Sequence, residues 1–106
     1  MESRVIFADK ELRKSFEGLK SDDERLYKEI EEALKIIKQN AFFGRNVKKR
    51  LIPKKLIQKY EIDNLWIYNL RKDWRLLYTI TNNEIEVLAI VLDWMNRKDY
   101  ERLFKF

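Results

Sequence analysis

The fold of this chain is predicted from residues 65–92. They read Leu-Trp-Ile-Tyr-Asn-Leu (65–70), Arg-Lys-Asp (71–73), Trp-Arg-Leu-Leu-Tyr-Thr-Ile (74–80), Thr-Asn-Asn (81–83) and Glu-Ile-Glu-Val-Leu-Ala-Ile-Val-Leu (84–92). Three runs rich in aromatic and β-branched residues, separated by short polar breaks, predict an antiparallel β-meander. The breaks at Arg71–Asp73 and Thr81–Asn83 have the length of hairpin turns, and Asn and Asp tolerate the left-handed backbone that such turns use.

The residues before the meander predict one strand and two helices. Ser3–Ala8 reads as a strand, and Asp9 is an N-cap for a helix that reaches about Leu19. Ser21–Glu24 has the pattern of a capping box that opens a second helix, which ends near Asn40. Its apolar stripe consists of Leu26, Ile30, Leu34 (or Ala33) and Ile37. Two helices with so short a connection are expected to form an antiparallel hairpin.

The residues after the meander predict a short terminal helix or an extended tail. Asn96 is a candidate cap, and the apolar side carries Tyr100, Leu103 and Phe104. The whole chain is therefore predicted to be one α+β domain over residues 1–106: an N-terminal strand, an antiparallel helical hairpin, a three-stranded antiparallel meander and a short C-terminal helix.

The composition restricts the chemistry. The chain has 106 residues, no cysteine and no histidine. Disulfides, thiol nucleophiles, zinc chemistry and a two-histidine ribonuclease mechanism are therefore excluded, and catalysis would have to use Arg, Lys, Tyr or a carboxylate. We expect no cofactor. No apolar run has the length of a membrane span and no signal-peptide pattern is present, so we expect a cytoplasmic protein that does not bind membranes.

The positive charge is concentrated in one segment. Residues 35–60 contain nine basic residues and no acidic one, so the rest of a chain whose net charge is +5 carries −4. This clustering favours a polyanionic partner such as nucleic acid over a segment that only keeps the protein soluble. Apolar residues alternate with the cations around Pro53, which predicts a loop that is anchored to the body and presents its lysines and arginines outward.

An acidic run on the second helix, Glu29, Glu31 and Glu32, is a candidate metal or acid/base cluster. Such runs are far more often a solvated helix face with i,i+4 partners, for which Glu24–Lys28 is an example. We therefore predict no metal site.

The meander also predicts the position of one arginine. If Leu70 pairs with Trp74, then Trp66, Tyr68 and Leu70 share a face with Trp74, Leu76 and Tyr78, and this aromatic face is expected to pack on the helices. Arg75 then projects from the opposite face, beside Ile67 and Asn69. Periodicity alone favours a cross-strand ion pair of Arg75 with Glu86 or Asp73 over a functional role.

The order of these elements, together with two motifs, resembles the RelE/ParE toxin superfamily. Leu65–Leu70 followed by Trp74–Ile80 is similar to the hairpin of that family, which ends in aromatic-Arg-aliphatic-aliphatic-Tyr. Leu92-Asp93-Trp94-Met95-Asn96-Arg97-Lys98-Asp99-Tyr100, with Phe104, is similar to the end of many archaeal and bacterial members. The resemblance, closest to the RelE-like branch, implies the toxin of a type II toxin–antitoxin pair that cleaves messenger RNA in the ribosomal A site without a metal.

The resemblance also implies a set of site residues. Arg75 would stabilise the phosphate, Arg97 falls near a basic or histidine position, and Tyr100 would orient the substrate base or stack on it. The residues that would bind RNA are Lys48, Lys49, Arg50, Lys54, Lys55, Arg71 and Lys72. The implied partners are a RelB-like cognate antitoxin, the ribosome and its messenger RNA, and a homodimer is compatible with the sequence.

One departure from the family pattern leaves the activity open. RelE-like toxins often present lysines from the strand beside that arginine, one of them the proposed base, whereas this chain has Ile67 and Asn69. Either a lysine of the 48–55 segment or Lys72 substitutes, or cleavage is slow or absent. The competing hypotheses are a ParE-like, non-catalytic inhibitor of DNA gyrase and a degenerate member that binds RNA without cleaving it.

Overall fold

A computed structural model describes residues 2–82 and 86–105. The strands within these residues are β1 (Arg4–Phe7), β2 (Arg45–Asn46), β3 (Trp66–Asn69), β4 (Arg75–Asn82) and β5 (Val87–Met95). The α-helices are α1 (Lys10–Asp22), α2 (Glu24–Gln39), α3 (Lys54–Tyr60) and α4 (Arg97–Phe104). Two short 3-10 turns, Ala41–Phe43 and Lys49–Leu51, lie on either side of β2.

The five strands form one mixed sheet in the order β1-β5-β4-β3-β2. β1 runs parallel to β5, and the other neighbouring pairs are antiparallel. The predicted α+β class is confirmed, but the strand set differs from the prediction because β2 adds a fifth strand at the edge. Two residues are too few to give a periodic signal, so β2 could not be found from the sequence.

The helical hairpin forms with one change to its predicted connection. Asp9 caps α1 by accepting a hydrogen bond from the Leu12 N–H at 2.8 Å, as predicted. The predicted capping box at Ser21 is wrong: α1 continues through Ser21, whose hydroxyl donates to the Gly18 carbonyl at 3.4 Å. Asp23 is the actual cap of α2, because its carboxylate accepts from the N–H of Leu26 at 3.1 Å.

The two hairpin turns of the meander differ. Leu70 pairs with Trp74 as predicted, and Lys72 and Asp73 between them have φ of 53° and 64°, the pair of positive values that characterises a type I′ turn. The predicted turn at Thr81–Asn83 is wrong at its first two residues, which extend β4 and pair with Leu88 and Val87. Residue 83 lies outside the described residues.

Apolar packing occurs on both faces of the sheet. The face with Leu76 and Tyr78 packs on α1 and α2, as predicted, and Ala33 rather than Leu34 is the fully buried member of the α2 stripe. The opposite face has a second core, which α3 and α4 cover. Its buried members are Val47, Ile52, Leu56, Leu65, Ile67, Leu77, Leu92 and Tyr100. Among the residues described, no helix combines the length and the apolar content that a membrane span requires.

Candidate nucleic-acid interface

Arg75 lies at the start of β4, on the face of the sheet that carries α3 and α4. It pairs with Asn69 of β3 and with Met95 of β5, so its backbone is held by strands on both sides. Its guanidinium donates to the Trp74 carbonyl at 3.2 Å, and its side chain is half-buried. The predicted ion pairs do not form in the described part of the chain, where no carboxylate pairs with Arg75. Glu86 pairs with Arg4 at 3.8 Å instead, and Asp73 pairs with Arg97 at 4.0 Å.

Tyr100 connects Arg75 to the C-terminal helix. Asn96 caps α4 by accepting from the Asp99 N–H at 2.9 Å, as predicted, and one turn later Tyr100 points into the second core with 6% of its surface exposed. Its ring lies 5.5 Å from the Arg75 guanidinium carbon, within the range of a cation–π contact. The Phe104 ring lies 4.6 Å away. A side chain so enclosed is better placed to orient other groups than to stack on a base.

Arg45 is the residue of this site that the sequence did not single out. It pairs with Ile67 across β2 and β3, and Asn69, two residues further along β3, pairs with Arg75. Because side chains alternate along a strand, Arg45 and Arg75 lie on the same face of the sheet. The Arg45 Nη2 donates to the Tyr100 hydroxyl at 2.8 Å. Arg45, Arg75 and Tyr100, which we call the arginine–tyrosine cluster, therefore meet although they come from three separate elements.

Arg97 lies at the start of α4, near the tip of the β3–β4 hairpin. Its guanidinium is exposed and pairs with Glu101 at 2.9 Å and with Asp73 at 4.0 Å. The hydrogen bond that Arg97 donates to the Glu101 carboxylate raises the pKa of Arg97, so the side chain stays charged. Two carboxylates already compensate that charge, and a phosphate would have to compete with them. The structure thus brings Tyr100 to Arg75 but gives Arg97 a different set of partners.

The predicted RNA-binding cations of the basic segment are all exposed. Lys49 and Arg50 lie on the second 3-10 turn, Lys48 directly precedes it, and Lys54 and Lys55 form the first turn of α3. The prediction of a loop is wrong for Lys54–Tyr60, because Pro53 is the N-cap of a helix and its carbonyl accepts from the N–H groups of Leu56 and Ile57. The buried side chains of this segment, Val47, Ile52 and Leu56, anchor it to the face on which Arg75 lies.

The other two predicted RNA-binding residues, Arg71 and Lys72, lie on the β3–β4 turn and are exposed. The backbone N–H of Arg71 donates to a Glu29 carboxylate oxygen at 2.9 Å. Arg71 lines a cavity of about 490 Å³ together with Glu29 and Glu32 of α2. Arg71 is therefore turned toward the helical hairpin and away from the arginine–tyrosine cluster.

The two residues of β3 that lie on the same face as Arg75 offer no proton acceptor. Ile67 is 2% exposed and belongs to the second core, and the exposed Asn69 does not titrate. Among the described residues, no group of three or more acidic side chains is arranged to hold a metal ion. The cluster can thus bind and stabilise negative charge, but its own side chains do not supply an obvious base.

A groove between α3 and α4 extends the same face and was not predicted. Its volume is about 840 Å³, and lysines of α3 (Lys54, Lys55, Lys59) line it opposite Asp93 and Asp99. Burial raises the pKa of the Asp93 carboxyl, and the Trp94 N–H and the charge of Lys59 oppose that shift.

Comparison of this chain with protein-family models, with curated proteins and with solved structures gives no match.

Proposed function

We propose that this chain is a toxin of the RelE/ParE type that binds messenger RNA on the ribosome and cleaves it without a metal ion. The observation that carries the proposal is the convergence of two guanidinium groups, those of Arg45 and Arg75, on the buried Tyr100 side chain. Arg75 has no carboxylate partner among the described residues, and arginine forks match phosphate geometry. The exposed cations of residues 48–55 lie on elements that pack on the same face and support binding to a polyanion.

In the proposed reaction the 2′-hydroxyl of one nucleotide attacks the adjacent phosphorus. The O2′–P bond forms, the P–O5′ bond breaks, and negative charge accumulates on the non-bridging oxygens in the transition state. Arg45 and Arg75 would stabilise that charge, a role for which a single preorganised donor contributes about 10²- to 10³-fold in rate. Tyr100 would act as a positioning residue that fixes both guanidinium groups.

The proton transfers limit the expected rate. The 2′-hydroxyl must lose a proton and the leaving 5′-oxygen must gain one, but neither Ile67 nor Asn69 can accept a proton at neutral pH. A positioned acid or base typically contributes 10²- to 10⁴-fold. We therefore expect slower cleavage than in an enzyme with a lysine at either position, unless a lysine of residues 48–55 or Lys72 takes that role.

The burial of Ile67 also favours a second candidate, a ParE-like inhibitor of DNA gyrase without catalytic residues. Such a protein needs no base, and Ile67 is packed under α3 and α4 as a structural residue. A member of the family that binds RNA without cleaving it would retain the cations and lack turnover.

For each of these candidates we propose a RelB-like antitoxin as the partner, whose acidic segments would neutralise the cationic face. For the favoured candidate, the target is the ribosome with its messenger RNA.

Induced expression in growing cells tests the favoured candidate against the other two. RNA from ribosome-bound messages is mapped by primer extension after induction, and chromosomal DNA is examined for breaks in the same culture. We expect new 5′ ends in messages, intact DNA and growth arrest that a co-expressed antitoxin relieves. DNA breaks with intact messages would support the gyrase inhibitor, and arrest without either kind of break would support binding alone.

A further inference from the structure

An aromatic patch lies next to Arg45, at the edge of the sheet where β2 begins. It consists of Phe42 and Phe43 on the first 3-10 turn and of Trp66 and Tyr68 on β3. Phe42 contacts Trp66 edge to face with their centroids 5.5 Å apart, and Phe43 contacts Tyr68 at 5.8 Å. Phe43 is 59% exposed, more than any other large apolar side chain among the described residues. Exposed aromatic groups of this size need an explanation beyond packing.

The surroundings of Phe43 indicate the chemistry of its partner. Phe43 lines a cavity of about 330 Å³ together with Gly44, Arg45, Ile67, Tyr68 and Asn69. Arg45 carries the one charge of that lining, and it is positive. Beyond Tyr68 the charges are mixed, because Glu29 and Glu32 line the next cavity together with Lys28 and Arg71. In the cavity beside Phe43, a polyanion would therefore be attracted at Arg45.

The following inference rests on the proposed function and extends it to a further residue, Phe43. We infer that Phe43, supported by Tyr68, stacks on an unpaired RNA base next to the phosphate that Arg45 and Arg75 bind. Phe43 and Arg45 line the same cavity, so the ring lies beside Arg45 at the edge of the sheet, although Tyr68 lies on the opposite face of the sheet from Arg45 and Arg75. Stacking on aromatic side chains tolerates any base, because every base has a π-face. The Asn69 amide, in the same cavity, can donate to and accept from a base edge.

The test measures equilibrium binding of a fluorescent single-stranded oligonucleotide in which every sugar is 2′-O-methylated. This probe lacks the attacking hydroxyl, so binding is measured separately from cleavage. A second probe has the same length and sugar–phosphate chain but no bases. The variants are Phe43→Ala, Phe43→Trp and, as the matched control, Leu51→Ala, which truncates an apolar side chain that is 52% exposed and lies outside the patch.

We expect Phe43→Ala to weaken binding of the probe with bases by about 10-fold and to leave binding of the abasic probe unchanged. Phe43→Trp should restore the affinity, and Leu51→Ala should bind both probes like the parent.

Equal affinity of Phe43→Ala and the parent for the probe with bases would overturn the stacking role and leave the proposed cleavage standing. A dimer that Phe43→Ala abolishes without any change in RNA affinity would overturn it too, and would assign the patch to a second copy of this chain. If the parent binds neither probe, the stacking inference is overturned, whereas the proposed cleavage on the ribosome is decided separately by primer extension.

Discussion

The Arg45 guanidinium donates a hydrogen bond of 2.8 Å to the Tyr100 hydroxyl, across 55 positions of sequence. This bond ties the edge strand β2 to helix α4, and the Tyr100 ring also lies beside Arg75. One buried side chain thus sets the positions of two cations that reach the face from different strands. The proposed phosphate site depends on this arrangement.

Tyr100→Phe should separate the positioning of Arg45 from the packing of the ring. The variant keeps the ring beside Arg75 and removes the acceptor of the Arg45 hydrogen bond, which costs about 1 kcal/mol in the free energy of unfolding. We expect folding to persist and message cleavage to fall by roughly 10-fold, measured by primer extension at equal protein level. Cleavage at the parent rate would show that the hydrogen bond does not position Arg45 for the reaction.

Removal of the first-turn cations of α3 should change the salt dependence of RNA binding. Lys54 and Lys55 are exposed and line the groove between α3 and α4. If each contacts one phosphate, the Lys54→Ala/Lys55→Ala double variant lowers the slope of log K against log salt by about 1.4, since each single-strand contact contributes roughly 0.7. Lys14→Ala/Lys20→Ala, two exposed lysines of α1, is the charge-matched control and should leave the slope unchanged. An equal change in both double variants would indicate a non-specific effect of net charge.

Two glycines should respond oppositely to substitution by alanine. A Cβ at Gly44 would lie 2.6 Å from the Tyr78 hydroxyl oxygen and 2.8 Å from the Ile67 carbonyl oxygen, so the turn before β2 would have to move. The Tyr78 hydroxyl also donates to the Ala41 carbonyl at 2.7 Å and accepts from the Gly44 N–H at 3.0 Å. We expect Gly44→Ala to lower the free energy of unfolding by about 1–3 kcal/mol in thermal or denaturant unfolding.

Gly18 is the matched control for that substitution. It lies inside α1, and a Cβ there would meet nothing closer than a carboxylate oxygen of Asp22 at 3.8 Å. Gly18→Ala should therefore raise the free energy of unfolding by about 0.5–1 kcal/mol, as expected for alanine in place of glycine in a helix. A stabilising Gly44→Ala would contradict the close packing of the turn against Tyr78.

The Asp93 carboxyl should make the protein less stable as the pH rises. Burial raises its pKa in the folded protein above the ordinary value of 3.8, so the folded state binds this proton more tightly than the unfolded state. The contribution of Asp93 to stability is therefore largest below pH 3.8 and is lost as the pH rises through the folded pKa. We expect Asp93→Asn to match the parent at acidic pH and to be more stable at neutral pH. The difference between the two proteins in urea unfolding over a pH series measures the effect, and a difference that does not grow with pH would contradict it.

The sequence predicted those parts of the fold that depend on local patterns. The alternation in the stretch from Leu65 places Tyr78 and Arg75 on opposite faces, and the caps at Asp9 and Asn96 follow from side-chain chemistry next to a helix. The second core was missed because Ile67 and Leu77 are buried by α3, a helix of seven residues in a segment whose lysines suggested a loop. Arg75 could be identified as a candidate, but its partner Arg45 lies on a strand too short for a pattern and meets Tyr100 only through tertiary packing.

Arg75→Ala provides the most direct test of the central claim that the arginine–tyrosine cluster acts on an RNA phosphate. Its control is Arg13→Ala, which removes an exposed arginine of α1 that pairs with Glu17 at 3.2 Å. Primer extension on ribosome-bound messages is carried out for the parent and both variants at equal expression, with thermal unfolding of each purified protein to verify the fold. We predict that Arg75→Ala unfolds like the parent and loses cleavage by about 10²- to 10³-fold, whereas Arg13→Ala cleaves normally. Cleavage by folded Arg75→Ala at the parent rate would contradict the account.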